Sequence, residues 1–207
     1  MNPILFWTAF SFRKELMYVA SAFLIVLILP IIAVIILTQT GINIISDKLA
    51  TVNAVNQTIE ILNPLDGTVL KTITAKFIWP VQGRITLEFG EADLPYQPLH
   101  TGIDIAGKRG DPIAAFSDGK VIYAGEISWG FGKHIIIDNG NNITSIYAHL
   151  DKIYVAKDEK VNQGQVIGAR GSTGWSTGPH LHFQVNVFGI PVNPRKFLGA
   201  DHQSAKI

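Results

Sequence analysis

The hydrophobic pattern divides the chain into one long apolar stretch near its start and a later region of short alternating runs. Residues 17–37 read MYVASAFLIVLILPIIAVIIL and contain no charged side chain. A helix of this length spans roughly 31 Å, which matches the hydrocarbon core of a bilayer. Pro30 is tolerated in such a helix because neighbouring groups satisfy the freed backbone carbonyl. We therefore predict a single transmembrane helix over residues 17–38.

The charges on either side of this stretch predict its orientation. Arg13 and Lys14 precede it, whereas only Lys48 follows it closely. Because basic residues favour the cytoplasmic side, we expect residues 1–16 to be cytoplasmic and the rest of the chain to lie outside. The bilayer is then a binding partner through residues 17–38. Two alternatives stay open: a cleaved signal peptide, although no A-x-A pattern follows, and a buried helix of a soluble protein.

The polar segment over residues 39–76 is expected to be a linker or stalk. It carries scattered aliphatic residues and few strong helix breakers, so part of it is expected to be helical, for instance around Ser46–Ile61. Asn63–Gly67 reads NPLDG, which is a turn signal.

From Phe77 onward the pattern changes to short β-type runs that are separated by glycine-containing turns. The clearest runs are KVIYA at 120–124, HIIID at 134–138, TSIYA at 144–148, residues 165–168 and HFQVNVF at 182–188. Because such runs with tight turns are typical of hairpins, we predict a mainly antiparallel β domain over residues 77–199. A polar tail over residues 200–207 follows it.

Composition narrows the possible functions. The formal net charge is +1, so the chain has no electrostatic signature of nucleic-acid binding and we expect no nucleic-acid partner. The absence of cysteine excludes disulfides, thiolate zinc sites, a cysteine nucleophile and a lipoprotein anchor.

Four of the six histidines lie in segments that can bind a metal or carry out acid–base chemistry: His100, His180, His182 and, standing alone in YAHL, His149. His180 and His182 are two apart in a predicted strand, so both imidazoles point to the same face. His100 and Asp104 are four apart, and Gly102 between them permits the bend that would bring them together. Taken alone, each motif also has a structural interpretation, as an incidental histidine pair or a His–Asp pair across a turn.

Together these motifs favour a catalytic zinc site. Two imidazoles and one carboxylate are donors that suit Zn²⁺, and three protein ligands leave a fourth position for water, as in catalytic sites. The remaining histidines could then act as a general base and as a donor to the oxyanion and the leaving amine.

A long series of motifs resembles peptidase family M23, the lysostaphin-like metallopeptidases, over about residues 77–198. The matching pieces are WPV at 79–81, GRIT at 83–86, HTGIDIA at 100–106, GDPIAA at 110–115, DGKV at 118–121, YAHL at 147–150, VNQGQVIG at 161–168, GSTG at 171–174, STGPHLHF at 176–183, NP at 193–194 and FL at 197–198. Their order and spacing agree throughout. Gln184 departs from the family, in which Glu is often found at this position.

The resemblance implies residue roles and a substrate. It implies that His100, Asp104 and His182 bind one Zn²⁺ per domain, and that His149 and His180 are the two catalytic histidines. The implied fold is a largely antiparallel β domain with the metal at the floor of a narrow groove. The implied activity is zinc-dependent cleavage of peptide cross-links, stem peptides or bridge peptides of peptidoglycan.

Two other interpretations follow from the same resemblance. Some M23-like domains are non-catalytic scaffolds or activators of cell-wall amidases, although those typically lose ligands that this chain keeps. In others a linker asparagine fills the open zinc position and inhibits the enzyme, and Asn53, Asn56 and Asn63 are available for this.

Residues outside the motifs also carry predictions. Trp129 and Phe131, in a glycine-rich loop, and Trp175 could line the groove, or they could pack at the ends of hairpins. His134 is expected to have a surface or packing role, and His202 is expected to have none.

Overall fold

The structure is a computed structural model that describes residues 3–53, 58–74, 77–92 and 99–198, with side chains from residue 14 onward. The chain forms two compact units, Met1–Thr38 and Gln39–Ile207. The polar tail predicted over residues 200–207 lies outside the described residues.

Helix α1 covers Pro3–Leu49 and includes Pro30 within its length. Most large apolar side chains between Leu16 and Leu37 are exposed. A helix that is apolar on every side requires apolar surroundings. Within the described residues, this is the one helix that is long and apolar enough to cross a membrane.

The second unit begins with the last turns of α1, followed by a small antiparallel sheet. Its strands, in spatial order β1-β2-β3, are β1 (Ala50–Asn53), β2 (Thr58–Leu62) and β3 (Val69–Ile73). The expectation of helix around Ser46–Ile61 is wrong beyond Leu49. Ile59 and Ile61 are buried on one face of β2, with the less buried Glu60 between them, and this alternation suits a strand. A stalk role for residues 39–76 stays a prediction.

An eight-stranded sheet forms the centre of the unit, as the sequence predicts. Its strands are β4 (Arg84–Leu87), β5 (Ile103–Ala106), β7 (Gly119–Glu126), β8 (Lys133–Asp138), β9 (Ile143–Ala148), β11 (Lys160–Val161), β13 (His180–Val187) and β14 (Ile190–Val192). The spatial order is β11-β7-β8-β9-β13-β5-β4, and β14 also pairs with β13. All of these pairings are antiparallel, which confirms the predicted fold class.

A second three-stranded sheet completes the fold. Its strands, in spatial order β10-β12-β6, are β6 (Pro112–Ala114), β10 (Leu150–Ile153) and β12 (Val166–Arg170). Ile113, Leu150 and Ile167 from this sheet are completely buried and join the same hydrophobic cluster as Ile135 and Phe183 of the large sheet. A 3₁₀ turn, Pro194–Lys196, follows the last strand. Burial of the apolar faces of both sheets therefore fixes the strands that carry the candidate site.

Candidate functional site

The pairing of β5 with β13 brings two of the predicted metal ligands together. Asp104 lies directly opposite His182 in this antiparallel register, and His100 precedes β5. Gly102 makes the close approach possible, because a Cβ atom there would overlap the carbonyl oxygen of Phe183 and lie 2.9 Å from His182 Nε2. Gly102 does not adopt a positive φ, so its requirement is for space.

The three predicted ligands converge on one point. His100 Nε2 lies 3.0 Å from Asp104 Oδ1 and 2.9 Å from His182 Nδ1, and His182 Nδ1 lies 3.0 Å from Asp104 Oδ1. His100 and His182 are buried, whereas the Asp104 side chain is 13% exposed. Two imidazole nitrogens and a carboxylate oxygen in this arrangement could hold a metal ion.

Hydrogen bonds behind the two imidazoles select the tautomers that suit a metal. His100 Nδ1 lies 3.0 Å from the carbonyl oxygen of Glu88, so it donates there and leaves Nε2 unprotonated. His182 Nε2 lies 3.5 Å from Gln184 Oε1, which leaves Nδ1 unprotonated. Three lone pairs then face one another, which is favourable only if a cation lies between them. The residues therefore fit a zinc ion.

Gln184 is itself held in place by two neighbours. Its Oε1 accepts a hydrogen bond from Thr101 Oγ1 at 2.6 Å, and its Nε2 donates to Asn186 Oδ1 at 2.7 Å. This network orients the amide oxygen towards His182, which is how outer groups fix a metal-binding imidazole. Gln184 is neutral, whereas the family resemblance leads us to expect a charged Glu at this position.

The ionisation of Asp104 and His182 also favours a bound cation. Burial alone would raise the pKa of Asp104, but the neighbouring imidazoles of His100 and His182, which donate hydrogen bonds to it when they are protonated, outweigh burial and hold that pKa well below its usual range. Burial lowers the pKa of His182, because a charged imidazole is costly away from water. The site therefore contains an ionised carboxylate and a neutral His182 near pH 7.

His149 follows β9 with its ring beside the three donors. Its backbone is in the left-handed region, with φ 61°, which is uncommon for a non-glycine residue. Its amide donates to the carbonyl oxygen of Phe131 at 2.9 Å, and its Nδ1 lies 2.8 Å from that of Thr173. Burial, together with the neighbouring imidazoles of His182 and His180, lowers the pKa of His149 to about 3. The neutral ring thus keeps Nε2 as a proton acceptor.

His180 opens β13 and faces His149 across the site. The two ring centroids are 4.7 Å apart, and His180 Nε2 lies 3.5 Å from Asp104 Oδ2. Its Nδ1 lies 2.9 Å from the carbonyl oxygen of Gly178 and 3.3 Å from Ser176 Oγ. All five residues predicted from the sequence therefore lie together.

These five residues line a cleft of about 410 Å³. Its rim carries Trp129 and Trp175, which are 62% and 51% exposed and have ring centroids 6.2 Å apart. Phe131 lies deeper, with its ring centroid 5.5 Å from that of His182. Of the two interpretations of these aromatic residues, lining of the groove is therefore correct for all three.

The other predicted residues lie elsewhere. His134 is buried and stacks on Tyr123 with ring centroids 4.4 Å apart, which agrees with a packing role. Asn53 and Asn63 do not line the described part of the cleft. Asn56 and His202 lie outside the described residues.

The sequence did not identify the carbonyl groups that orient the imidazoles. Those of Glu88, Thr173 and Gly178 each lie 2.8–3.0 Å from a ring nitrogen of a site histidine. A backbone carbonyl has no residue signature, so only the fold could reveal them. The hydroxyl of Ser176 lies four residues before His180, so the sequence could have suggested it as a partner of that imidazole.

The chain is similar in sequence to one known protein family and to several characterised relatives. The model of peptidase family M23 matches residues 98–194. The murein hydrolase activator NlpD of Escherichia coli is 40% identical over 120 residues, which are 58% of this chain and 30% of NlpD. The DD-carboxypeptidase/endopeptidase Mpg of Neisseria meningitidis is 41% identical over 133 residues, which are 62% of this chain and 30% of Mpg. This chain therefore spans 30% of the length of each relative.

A solved structure extends the comparison to three dimensions. The catalytic domain of lysostaphin, an antimicrobial peptidase from Staphylococcus simulans, has a TM-score of 0.52 and 34% sequence identity. The alignment covers 56% of this chain and 91% of that domain.

Proposed function

This chain belongs to peptidase family M23, and from that premise we propose that it is a zinc-dependent endopeptidase that hydrolyses peptide cross-links, stem peptides or bridge peptides of peptidoglycan. One observation carries the proposal. Two imidazoles and one carboxylate converge within 3.0 Å of one another at a cleft that also contains two further histidines. Peptidases of this family are zinc-dependent.

We assign His100, Asp104 and His182 as the ligands of one zinc ion. A zinc ion held there would polarise the scissile carbonyl and lower the pKa of a bound water. The ligand roles are supported by the facing lone pairs, because a cation removes their mutual repulsion. They are supported also by the cleft, since all three side chains line its wall.

We assign His149 and His180 as the catalytic histidines. His149 is neutral at pH 7, and its unprotonated Nε2 can accept a proton from the attacking water. His180 lies on the facing side, where a protonated Nε2 would stabilise the developing oxyanion and then donate a proton to the leaving amine. The carbonyl groups behind both rings hold them in orientation, so little reorganisation is needed during the reaction.

A second function is supported by one specific relative. NlpD, which matches 58% of this chain, is a murein hydrolase activator, so a role in activating cell-wall amidases is the alternative. We favour the peptidase because this chain keeps all five residues in one cleft. An activator that acts by binding a partner does not need them.

Digestion of cell walls followed by mass spectrometry of the muropeptides would test the two functions. Full-length protein in detergent micelles should contain about one zinc per chain and should release products of peptide-bond cleavage. Bound zinc with no cleavage of any muropeptide, together with stimulation of a purified amidase, would favour the activator instead.

Variants of the histidines would test the assigned roles. His182→Ala should remove zinc and activity together, because a ligand is lost. His149→Ala or His180→Ala should keep zinc but lose about 10²–10⁴ in rate, the usual contribution of general acid–base catalysis. His134→Gln is a matched control that should retain both properties. If His149→Ala or His180→Ala loses the metal, the assignment of roles is wrong.

We also propose that the apolar part of α1 anchors the protein in the cytoplasmic membrane, with the peptidase unit outside. Support comes from the uncharged stretch and from Arg13 and Lys14 before it. The alternative is a secreted protein that results from signal cleavage. Protease treatment of intact spheroplasts should digest the unit after residue 38, and a membrane fraction that lacks the full-length chain would favour secretion.

A further inference from the structure

One turn of the chain surrounds the metal ligand His100. Residues 88–91, here the ligand turn, follow β4. The ring of His100 donates to the carbonyl oxygen of Glu88, its amide donates to that of Glu91 at 2.7 Å, and its own carbonyl oxygen accepts from the Gly90 amide at 2.8 Å. Three hydrogen bonds therefore fix the imidazole and the backbone of His100 to the ligand turn. The position of His100 depends on the position of this turn.

The ligand turn is held from outside by an ion pair. The carboxylate of Glu88 accepts hydrogen bonds from Arg195 Nη2 at 2.5 Å and from Arg195 Nε at 3.3 Å. The guanidinium also lies over the ring of Trp79, 5.3 Å from its centroid. Arg195 belongs to the 3₁₀ turn, in which its amide donates to Asn193 Oδ1 at 2.9 Å. A two-point contact of this kind restricts the orientation of Glu88.

The end of helix α1 contacts both turns. Ser46, which is 1% exposed, accepts a hydrogen bond on its Oγ from the Asn193 amide at 3.0 Å. Lys196 Nζ pairs with Asp47 at 2.7 Å and donates to the carbonyl oxygen of Ala50 at 2.6 Å. The helix end also lies beside the ligand turn, because a Cβ atom added at Gly90 would lie 3.5 Å from the side chain of Asn43. The helix end therefore packs against the 3₁₀ turn and the ligand turn.

We propose that Glu88, Arg195 and Ser46 are positioning residues that couple the end of helix α1 to the metal ligand His100. None of the three belongs to the donor set, and they act by fixing the ligand turn. When the ligand turn is held, the carbonyl oxygen of Glu88 keeps the Nδ1–H of His100 engaged and Nε2 aimed at the other two donors. When it is loose, His100 samples other orientations and the site binds zinc more weakly.

The contribution of these residues to metal binding can be separated from their contribution to stability. The side chains of Arg195 and Glu88 are 35% and 40% exposed, and ion pairs near the surface add little to the stability of a fold. Loss of an outer partner of a metal ligand, in contrast, typically weakens metal binding by about 10–100-fold. We therefore expect a large effect on zinc affinity and a small one on unfolding. A residue with a purely structural role would show the reverse.

The experiment compares the Kd for zinc of full-length variants in detergent micelles, measured by competition with a chelator of known affinity. Glu88→Ala keeps the backbone carbonyl that His100 uses, yet it should weaken zinc binding by about tenfold. Arg195→Ala should have a similar effect, and the double variant should be no weaker than either single variant, because both remove the same contact. Ser46→Ala should weaken binding by about threefold, since it acts through one further hydrogen bond. Lys120→Ala, which breaks the exposed pair with Asp158, is the matched control and should bind zinc like the wild type.

Wild-type zinc affinity in Glu88→Ala would overturn the proposal, and so would losses that add fully in the double variant. Wild-type affinity in Ser46→Ala would overturn the coupling to the helix. Thermal unfolding of the metal-free variants within a few degrees of the wild type shows that the loss is local. The inference rests on the ligand role of His100 in the proposed function, but the readout does not require cleavage. If wild-type protein binds zinc without cutting muropeptides, the peptidase proposal fails while the coupling can still hold.

Discussion

Substitution of Gly102 by alanine tests the packing at the floor of the site. The added Cβ atom would overlap the carbonyl oxygen of Phe183 and would lie 2.9 Å from both the Phe183 carbonyl carbon and His182 Nε2. Two of these three atoms belong to the backbone of Phe183 in β13, and the third belongs to the imidazole of the predicted ligand His182. Neither neighbour is the free end of a flexible side chain. The clash can be relieved only if the two strands separate or if the imidazole of His182 moves.

The expected magnitude follows from overpacking and from the loss of ligand geometry. Extra methyl groups in a packed core typically cost about 1–3 kcal/mol. For a unit of this size, each kcal/mol lowers the Tm by about 2–4 °C, so a fall of roughly 2–12 °C is expected. Displacement of His182 from Asp104 should weaken zinc binding by about 10–100-fold, as loss of outer-sphere support does.

Differential scanning fluorimetry and chelator competition on the full-length protein would measure both effects. Gly41→Ala is the matched control, because a Cβ atom there meets nothing within 4 Å and alanine is well tolerated in a helix. This control should retain the zinc affinity of the wild type and should not lower the Tm, because alanine favours a helix more than glycine does. Gly102→Ala with an unchanged Tm and an unchanged Kd would refute the reasoning.

Three further substitutions give distinct outcomes. Tyr147→Phe removes the acceptor of the buried Phe116 amide, so it should destabilise the protein by about 1–3 kcal/mol in urea unfolding without a change in zinc affinity. Trp175→Ala removes an aromatic group from the cleft rim. It should raise KM for muropeptides by about two- to tenfold with kcat nearly unchanged. An equal fall in kcat would contradict a role in binding. Gly107→Ala places a Cβ atom on the buried guanidinium of Arg170. Thermal unfolding should therefore show that the free energy of unfolding falls by about 3–5 kcal/mol. A stability equal to that of the wild type would exclude the clash.

The central strands could be predicted because their pattern is local. HIIID at 134–138 and TSIYA at 144–148 lie within β8 and β9, and the glycine-containing turns mark their ends. The His180–His182 pair could be placed on one face for the same reason, since alternation along a strand is a property of the backbone. The convergence of His100 with these residues needed the family resemblance, because the pairing of β5 with β13 joins segments about 80 residues apart.

The region after the apolar stretch could not be predicted in the same way. Thr58–Leu62 is a five-residue strand whose alternation of buried and less buried positions is too short to distinguish it from one face of a helix. Burial of Ile59 and Ile61 in the common core decides the outcome, and this is a tertiary effect. The contact of Ser46 with Asn193 spans 147 residues, so no local pattern announces it.

Gly102 illustrates a residue predicted correctly for an incomplete reason. The sequence indicated that it permits a bend between His100 and Asp104. In the structure its backbone has no positive φ, and the requirement comes from the facing strand, whose carbonyl group and imidazole occupy the space that a side chain would need. The sequence could not reveal this steric reason before the strand pairing was known.

X-ray absorption spectroscopy at the zinc edge of the full-length protein tests the central claim most directly. The account predicts one zinc with two imidazole nitrogens and oxygen ligands from Asp104 and an exchangeable water, and His182→Ala should abolish the signal. A zinc with only one imidazole, or a coordination shell completed by another side chain of the protein, would contradict it.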